Sequence, residues 1–357
     1  MPHESHQKKD SQAPECCRHD LGPKNRKWFR DPLVIVSAVT VFLVAASYLF
    51  PFLSQFRYTL FDYFRMVWVP ILLGFVVGGI IDYYIPREYI SKFFARKSKR
   101  TIFYATGLGF LASACSHGVI ALSMELHKKG ASGPAVVSFL LASPWANLPI
   151  TFLLIGFFGW KGLLIISAAL LVSVLTGLSF QILDQKGWIE HNRHSVVTPA
   201  DFSIQEDFKK RFKNYRFHPA QFRKDLFGIG KGIFSLADMV LWWIILGMLL
   251  AGVLSAFVPE SIFHRFLGPS FLGLLITLGV ATILEICSEG TSPLAFEIYR
   301  QTGALGNAFA FLMGGVVTDY TEIGLVWMNL GRKTALWMIL ITLPQVIFWG
   351  LLLNRFF

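Results

Sequence analysis

The sequence predicts an all-α polytopic membrane protein with two internal repeats, expected to run in inverted topology and to contain broken or re-entrant helices. Three observations lead there. Hydrophobic residues fill 54% of the 357 positions and charged residues only 15%, against about 25% charged in ordinary soluble domains. Mean hydropathy is +0.52, and apolar runs of spanning length, roughly 20 residues, recur along the chain. Motifs of the first half also return in the second at a near-constant spacing.

Nine apolar segments can be drawn, at 33–53, 61–85, 102–127, 134–158, 162–184, 236–258, 270–298, 305–328 and 333–354. Residues 1–32 are polar and charged, which reads as a disordered cytoplasmic tail rather than a signal peptide. The tail holds His3, His6, Cys16, Cys17 and His19, a set that could bind a soft metal but reads first as solvated chain. An extra span occupies 33–58, followed by repeat 1 at 59–185, a basic cytoplasmic linker at 186–235 and repeat 2 at 236–357. The linker carries "EDFKKRFKNYRF", with room for an amphipathic helix on the membrane surface.

The repeat is legible residue by residue. Gly74, Gly79 and Pro86 return as Gly247, Gly252 and Pro259, an offset of 173. Cys115, Gly118, Leu122 and Glu125 return as Cys287, Gly290, Leu294 and Glu297, an offset of 172. Asn147 falls on Asp319, and Gly159 and Lys161 fall on Gly331 and Lys333.

The formal net charge of +11 sits in the tail and loops, so it speaks for the cytoplasmic leaflet and not for nucleic acid. If all nine segments cross, the 33 Lys and Arg divide 17 to 16 between the two sides. If the segments holding Cys115 and Cys287 enter and return, the division becomes 27 inside and 6 outside. That restores the asymmetry expected of membrane proteins, and each repeat then crosses an odd number of times. Inverted repeats with broken helices at the midplane are a common build of secondary transporters.

"SACSHGVIAL" and "EICSEGTSPL" set turn-prone residues inside apolar segments. Gly118, Gly290 and Pro293 favour a break, as does Pro144 in "ASPWANLP". Unwound backbone inside a membrane is tolerated only beside protein or a wet cavity, and the following half-helix points its positive end into that space. Cys115 and Cys287, facing each other across a pseudo-twofold axis, would suit a soft metal or metalloid. The alternative is that each is a small buried hydrophobe. His117 could promote thiolate or carry a proton.

Glu285, Glu289, Asp319 and Glu322 lie within apolar stretches. A charge at the bilayer centre is costly, so such groups are candidates for proton coupling or solute binding. Asp319 and Glu322 are expected on one helix face at i, i+3, and Asn147 is expected to hydrogen-bond the solute. Glu125 and Glu297 are expected at segment ends, paired with Lys128 and Arg300.

Around "ACSHGVIALSMELHKKGASGPAVVSFLLASPWANLP" and "EICSEGTSPLAFEIYRQTGALGNAFAFLMGGVVTD" the chain resembles the ArsP/YraQ-type family of predicted permeases, over roughly residues 61–352. The resemblance implies a plasma-membrane permease. Some members of that family export trivalent organoarsenicals with a pair of intramembrane cysteines, and Cys115 and Cys287 are the matching positions. The chain departs from the family where His117 replaces a second cysteine of the first motif, and where "GGVVTDY" stands in place of a common Gly-Pro.

The expectation is therefore a secondary permease in the plasma (inner) membrane, moving a small solute without a cofactor. Its solute site would comprise Cys115, His117, Asn147, Cys287, Glu289 and Asp319. Efflux of a thiophilic metalloid leads. A metal cation held by His117, Glu289 and Asp319 is the alternative, and a membrane scaffold or sensor is the non-transport one. An intramembrane enzyme using His117 with Glu289 would need no paired breaks. No nucleotide-binding "GxxxxGK[ST]" occurs.

Overall fold

The computed structural model describes residues 31–84, 99–111, 116–128, 130–192, 219–284 and 287–357. Helix α1 (Pro32–Leu49) starts where Asp31 accepts the Leu33 amide at 3.0 Å and Pro32 supplies a ready-made first turn. A short 3₁₀ turn leads into α2 (Ser54–Tyr84). Then follow α3 (Lys99–Leu111), α4 (Ser116–Lys128), α5 (Gly133–Ala146), α6 (Leu148–Phe158) and α7 (Trp160–Gln185). The second half contains α8 (Pro219–Phe257), the short α9 (Glu260–Leu267), α10 (Phe271–Ile283), α11 (Ser288–Thr302), α12 (Leu305–Thr318), α13 (Tyr320–Asn329) and α14 (Arg332–Phe356). Among the described residues there is no strand.

The element order repeats. Helices α5, α6 and α7 open at Gly133, Leu148 and Trp160, and α12, α13 and α14 open at Leu305, Tyr320 and Arg332, each 172 residues on. Helices α2 and α8 are the corresponding long pair, Gly74 and Gly79 of the first matching Gly247 and Gly252 of the second, 173 apart. Gly159 and Gly331 hold the same turn, with φ of +59° and +117°, a region that favours glycine.

Burial follows the repeat. Every residue of α5 is buried, as is all of α12 except Gly315 and Thr318. A helix apolar all round belongs in an interior. Helix α5 packs between α3 and α7, and α12 between α10 and α14. Hydroxyls stitch the first half together: Thr106 and Ser138 stand 2.8 Å apart, and Ser173 donates to the Ser138 carbonyl at 2.7 Å. The outward faces of α1, α2 and α14 carry Phe42, Phe61, Trp68, Leu340 and Phe348, the surface a bilayer would cover. Helices α2 and α8 cross closely, and the crossing is itself symmetric. Gly79 rests on Ile229 and Ile233, while Gly252 rests on Phe56, the counterpart of Ile229.

Several predicted segments are subdivided. Among the described residues, six helices are long and apolar enough to cross a membrane, or eight if the bent pairs count as spans. The predicted segment 134–158 is bent by 43° between α5 and α6, and α9 meets α10 at 102°. The segments 102–127 and 270–298 are each two helices of 13 to 15 residues. At 1.5 Å per residue each covers only about 20 Å, short of the ~30 Å hydrocarbon thickness. The described part of helix α8 includes Pro219, within the stretch read as linker.

Candidate functional site

Cys287 is the residue before α11, and Glu289 lies in its first turn. Both are buried, Glu289 to 1% exposure. The Cys287 thiol donates to Glu289 Oε2, and the Ser288 hydroxyl donates to the same oxygen at 3.2 Å. A carboxylate here sits at the positive end of a helix, where the backbone dipole favours negative charge. Glu289 closes one wall of a narrow crevice that is too tight to hold a water molecule. The other walls are Ile71 and Phe75 of α2, Pro149 and Leu153 of α6, and Val240 and Ile244 of α8. One acid group thus faces an otherwise apolar space.

Asn147 borders this cavity through the turn it forms. Its side chain accepts the Ile150 amide at 2.9 Å, capping α6 two residues before the wall residue Pro149. Asn147 is 2% exposed. The break before α11 and the break between α5 and α6 therefore flank one cavity. Close backbone approach seals it: Gly247 of α8 lies on the Gly290 carbonyl, and Gly74 of α2 lies on Pro149.

Asp319 occupies the matching position in the second half and does the same local work. It caps α13, accepting the Thr321 amide at 2.6 Å and the Glu322 amide at 3.3 Å. The expectation that Asp319 and Glu322 share a helix face is corrected: Asp319 is extended backbone before the helix, and "DYTE" is a capping sequence. Glu322 is buried at 4%, and the Thr282 and Thr318 hydroxyls meet at 2.7 Å near this turn. Neither Asp319 nor Glu322 lines the Glu289 cavity.

The expected helix-breaking residues also need correcting. Gly290 and Pro293 lie inside α11, and Pro144 lies inside α5; among the described residues the chain departs from helix at Leu284, Cys287 and Asn147. Proline lacks a donor, so it removes the bond its amide would make to the residue four before it. That leaves the Glu289 and Leu140 carbonyls without this helical partner and weakens the helix beside each break. Gly118 and His117 are in the first turn of α4, and the His117 side chain lies outside what the structure describes. Cys115, Glu285, Cys16 and Cys17 lie outside the described residues altogether, so the expected cysteine pair does too. Among the described residues, no three His, Cys, Asp or Glu side chains gather as metal ligands.

Glu297 is paired with Arg300 as expected, at 3.0 Å, towards the C-terminal end of α11, and it is 0% exposed. Tyr63 of α2 donates to its Oε2, and Gln301 donates to Oε1 at 2.6 Å. Arg300 reaches on to Thr59 at 3.1 Å and Ser255 at 2.8 Å. Tyr63 also packs edge-on to Phe157 and Phe296, with ring centroids 5.3 Å away. Sequence reasoning did not find Tyr63. A single polar ring in an amphipathic-looking stretch carries no motif, and its partner is 234 residues away. Glu125 is exposed, and its expected pairing with Lys128 falls on a side chain outside the described residues.

Comparison with known proteins agrees with this architecture. The family model described as a predicted permease, ArsP_1, matches residues 53–355. The chain is similar to the UPF0718 protein YcgR of Bacillus subtilis, 22% identical over 297 residues, covering 80% of this chain and 92% of that one. It is similar to the UPF0718 protein MJ0584 of Methanocaldococcus jannaschii, 24% identical over 339 residues, with 78% and 89% covered. A Streptococcus mutans protein provisionally named a two-component membrane permease complex subunit is 24% identical over 256 residues, with 71% and 79% covered. No solved structure matches the chain. With several apolar helices of spanning length around a buried, broken-helix core, the protein is a multi-pass integral membrane protein and belongs to the ArsP_1 family of predicted permeases.

Proposed function

We propose that the chain is a secondary transporter of the plasma membrane, and not an enzyme, passing a small thiophilic solute through the Glu289 cavity. The observation that carries this reading is the buried contact between the Cys287 thiol and the Glu289 carboxylate at the mouth of a half-helix. A trivalent organoarsenical exchanges an As–OH group for the Cys287 sulfur: the S–H and As–O bonds break, the S–As bond forms, and Glu289 relays the thiol proton to the departing hydroxide, which leaves as water. Separate protonation of Glu289 from one side of the membrane and release to the other would couple solute movement to the proton gradient. The apolar walls suit a solute with organic substituents, such as a trivalent organoarsenical. Inverted orientation of the two repeats would give each a broken half-helix at the midplane. In this reading Cys115 and His117 complete the solute site, Asn147 shapes its opposite wall, and Asp319, Glu322 and Glu285 serve the matching half.

The test is resistance of a host lacking arsenical efflux, with the chain expressed at matched levels and challenged with a panel of metals, metalloids and methylated arsenicals. Protection by the native chain that Cys287→Ser and Glu289→Gln each abolish is the expected result. Protection unchanged by both substitutions would rule out thiol chemistry at this site.

A further inference from the structure

The two halves are alike inside but attach differently to the central pair α2 and α8. Helix α2 is seated on α6. A β-carbon on Gly74 would stand 3.0 Å from Pro149 Cα and 3.6 Å from Phe152 Cβ, and one on Gly156 would stand 3.2 Å from the Met66 carbonyl. The counterparts of α2 and α6 are α8 and α13. Among the described residues these two do not pack along each other in this way; α8 instead lies on α11, with Gly247 against the Gly290 carbonyl. Helix α6 is largely buried, whereas α13 buries only Glu322 and Val326.

The uncovered face of α13 has the shape of a helix seat. Gly324 is the counterpart of Phe152, and a β-carbon there would meet nothing within 4 Å. A glycine inside a helix costs stability, and a small residue lets another backbone come close. Met328, the counterpart of Gly156, is 81% exposed. The helix that would fit is the one whose counterpart already occupies the matching seat: α8, bringing its Gly247 onto Thr321 and Gly324, where α2 brings Gly74 onto Pro149 and Phe152.

We infer that this packing is one of two, and that in the other α8 leaves α11 for α13 while α2 leaves α6. Two halves of one design, held in unequal environments around a symmetric α2–α8 crossing, define a second arrangement in which the environments are exchanged. The Glu289 cavity, walled by α2, α6, α8 and α11, is then taken apart and its counterpart beside Asp319 is formed. The Tyr63–Glu297–Arg300 cluster joins α11 to α2 and, through Ser255, to α8. It is a latch for the observed state. This deepens the transporter reading, since exchange of the two seats is what would present the solute site to each side in turn.

Paired cysteines in the full-length chain, in membrane vesicles, test it. Ile71→Cys with Leu153→Cys, side chains of α2 and α6 that line one crevice, reports the observed state. Met239→Cys with Met328→Cys, the counterparts of Met66 and Gly156, reports the exchanged one. Thr106→Cys with Ser138→Cys, within one half, reports the fold in both. A short bifunctional thiol reagent is applied and the joined peptides are identified by mass spectrometry. All three pairs are expected to form. Tyr63→Phe or Glu297→Gln should shift the ratio of the first two by about tenfold towards Met239–Met328, the factor for losing one hydrogen bond to a charged partner. If the Thr106–Ser138 pair forms while Met239–Met328 never does, or if the latch variants leave the ratio unchanged, the two-packing inference is wrong. Exchange without transport of any panel solute would instead overturn the transporter reading and leave the two packings standing.

Discussion

Gly247 lies so close to Gly290 that a β-carbon on it would overlap the Gly290 carbonyl oxygen. The contact is backbone on backbone, so no side chain can move aside. It sets the distance between α8 and the half-helix that carries Glu289. Gly247→Ala is therefore expected to cost about 1–3 kcal/mol through overpacking, seen as a lowered Tm in detergent. Gly107→Ala, at a helical glycine with nothing within 4 Å, is the control. It should be neutral or slightly stabilising, because alanine is the better helix former. Equal effects at the two sites would show that the close approach is not tight.

The crevice beside Glu289 is tightly packed and walled mainly by aliphatic side chains, so a larger side chain overpacks it without adding a polar group. Val240→Phe is expected to cost about 1–3 kcal/mol. Protection by the chain, compared at matched amounts of folded protein, should fall at least about tenfold, and reaction of Cys287 with a small maleimide should slow. Fast labelling of Cys287 in this variant would place the solute route elsewhere.

Much of this arrangement was legible in the sequence because its signals are local. Apolar run length marks spans, and matched Gly and Cys positions mark the repeat. The breaks were located only to within a few residues. Gly290, Pro293 and Pro144 read as break points, yet the helix tolerates them; the chain departs where Cys287 and Asn147 start a helix. Asp319 read as a site acid because it is charged in an apolar run, but its first task is capping α13. The cavity walls were invisible, since Ile71, Leu153 and Val240 come together only through packing between distant helices. The same holds for Tyr63 and Glu297.

Glu297 and Arg300 form an ion pair of unequal burial, 0% against 28% exposure of the side chains. Removing the more exposed partner strands the deeper charge. Arg300→Ala should thus cost more than Glu297→Ala, with the latter near the lower end of the 3–5 kcal/mol range for broken buried pairs, about 3 kcal/mol. The double variant should recover part of the loss, since it removes the uncompensated charge. Thermal unfolding of all three in detergent gives the coupling energy. Additive losses would mean that Tyr63 and Gln301 alone satisfy Glu297.

Glu190, beyond the end of α7, caps α14 from a distance. Its carboxylate accepts the amides of Lys333 at 2.9 Å and Thr334 at 3.0 Å, and the Thr334 hydroxyl at 3.1 Å. Partial burial pushes its pKa up, but these donated hydrogen bonds outweigh that and hold it below the ordinary 4.5. A carboxyl with a lowered folded pKa stabilises the fold above its unfolded value and loses that contribution as pH falls through the folded one. The native chain should therefore lose stability relative to Glu190→Gln as pH drops from about 5.5 towards 3. At neutral pH the substitution should cost less than about 1 kcal/mol, because the group is partly exposed and screened. Gly331 gives the carboxylate room, since a β-carbon there would strike it. Gly331→Ala should then lower Tm by more than Glu190→Gln, because it both displaces the cap and strains a φ of +117°. Melting curves of the two variants at pH 7 and pH 4 separate the effects: only the Glu190 contribution depends on pH, and a pH-independent difference between the native chain and Glu190→Gln would show that the carboxylate does not cap the helix.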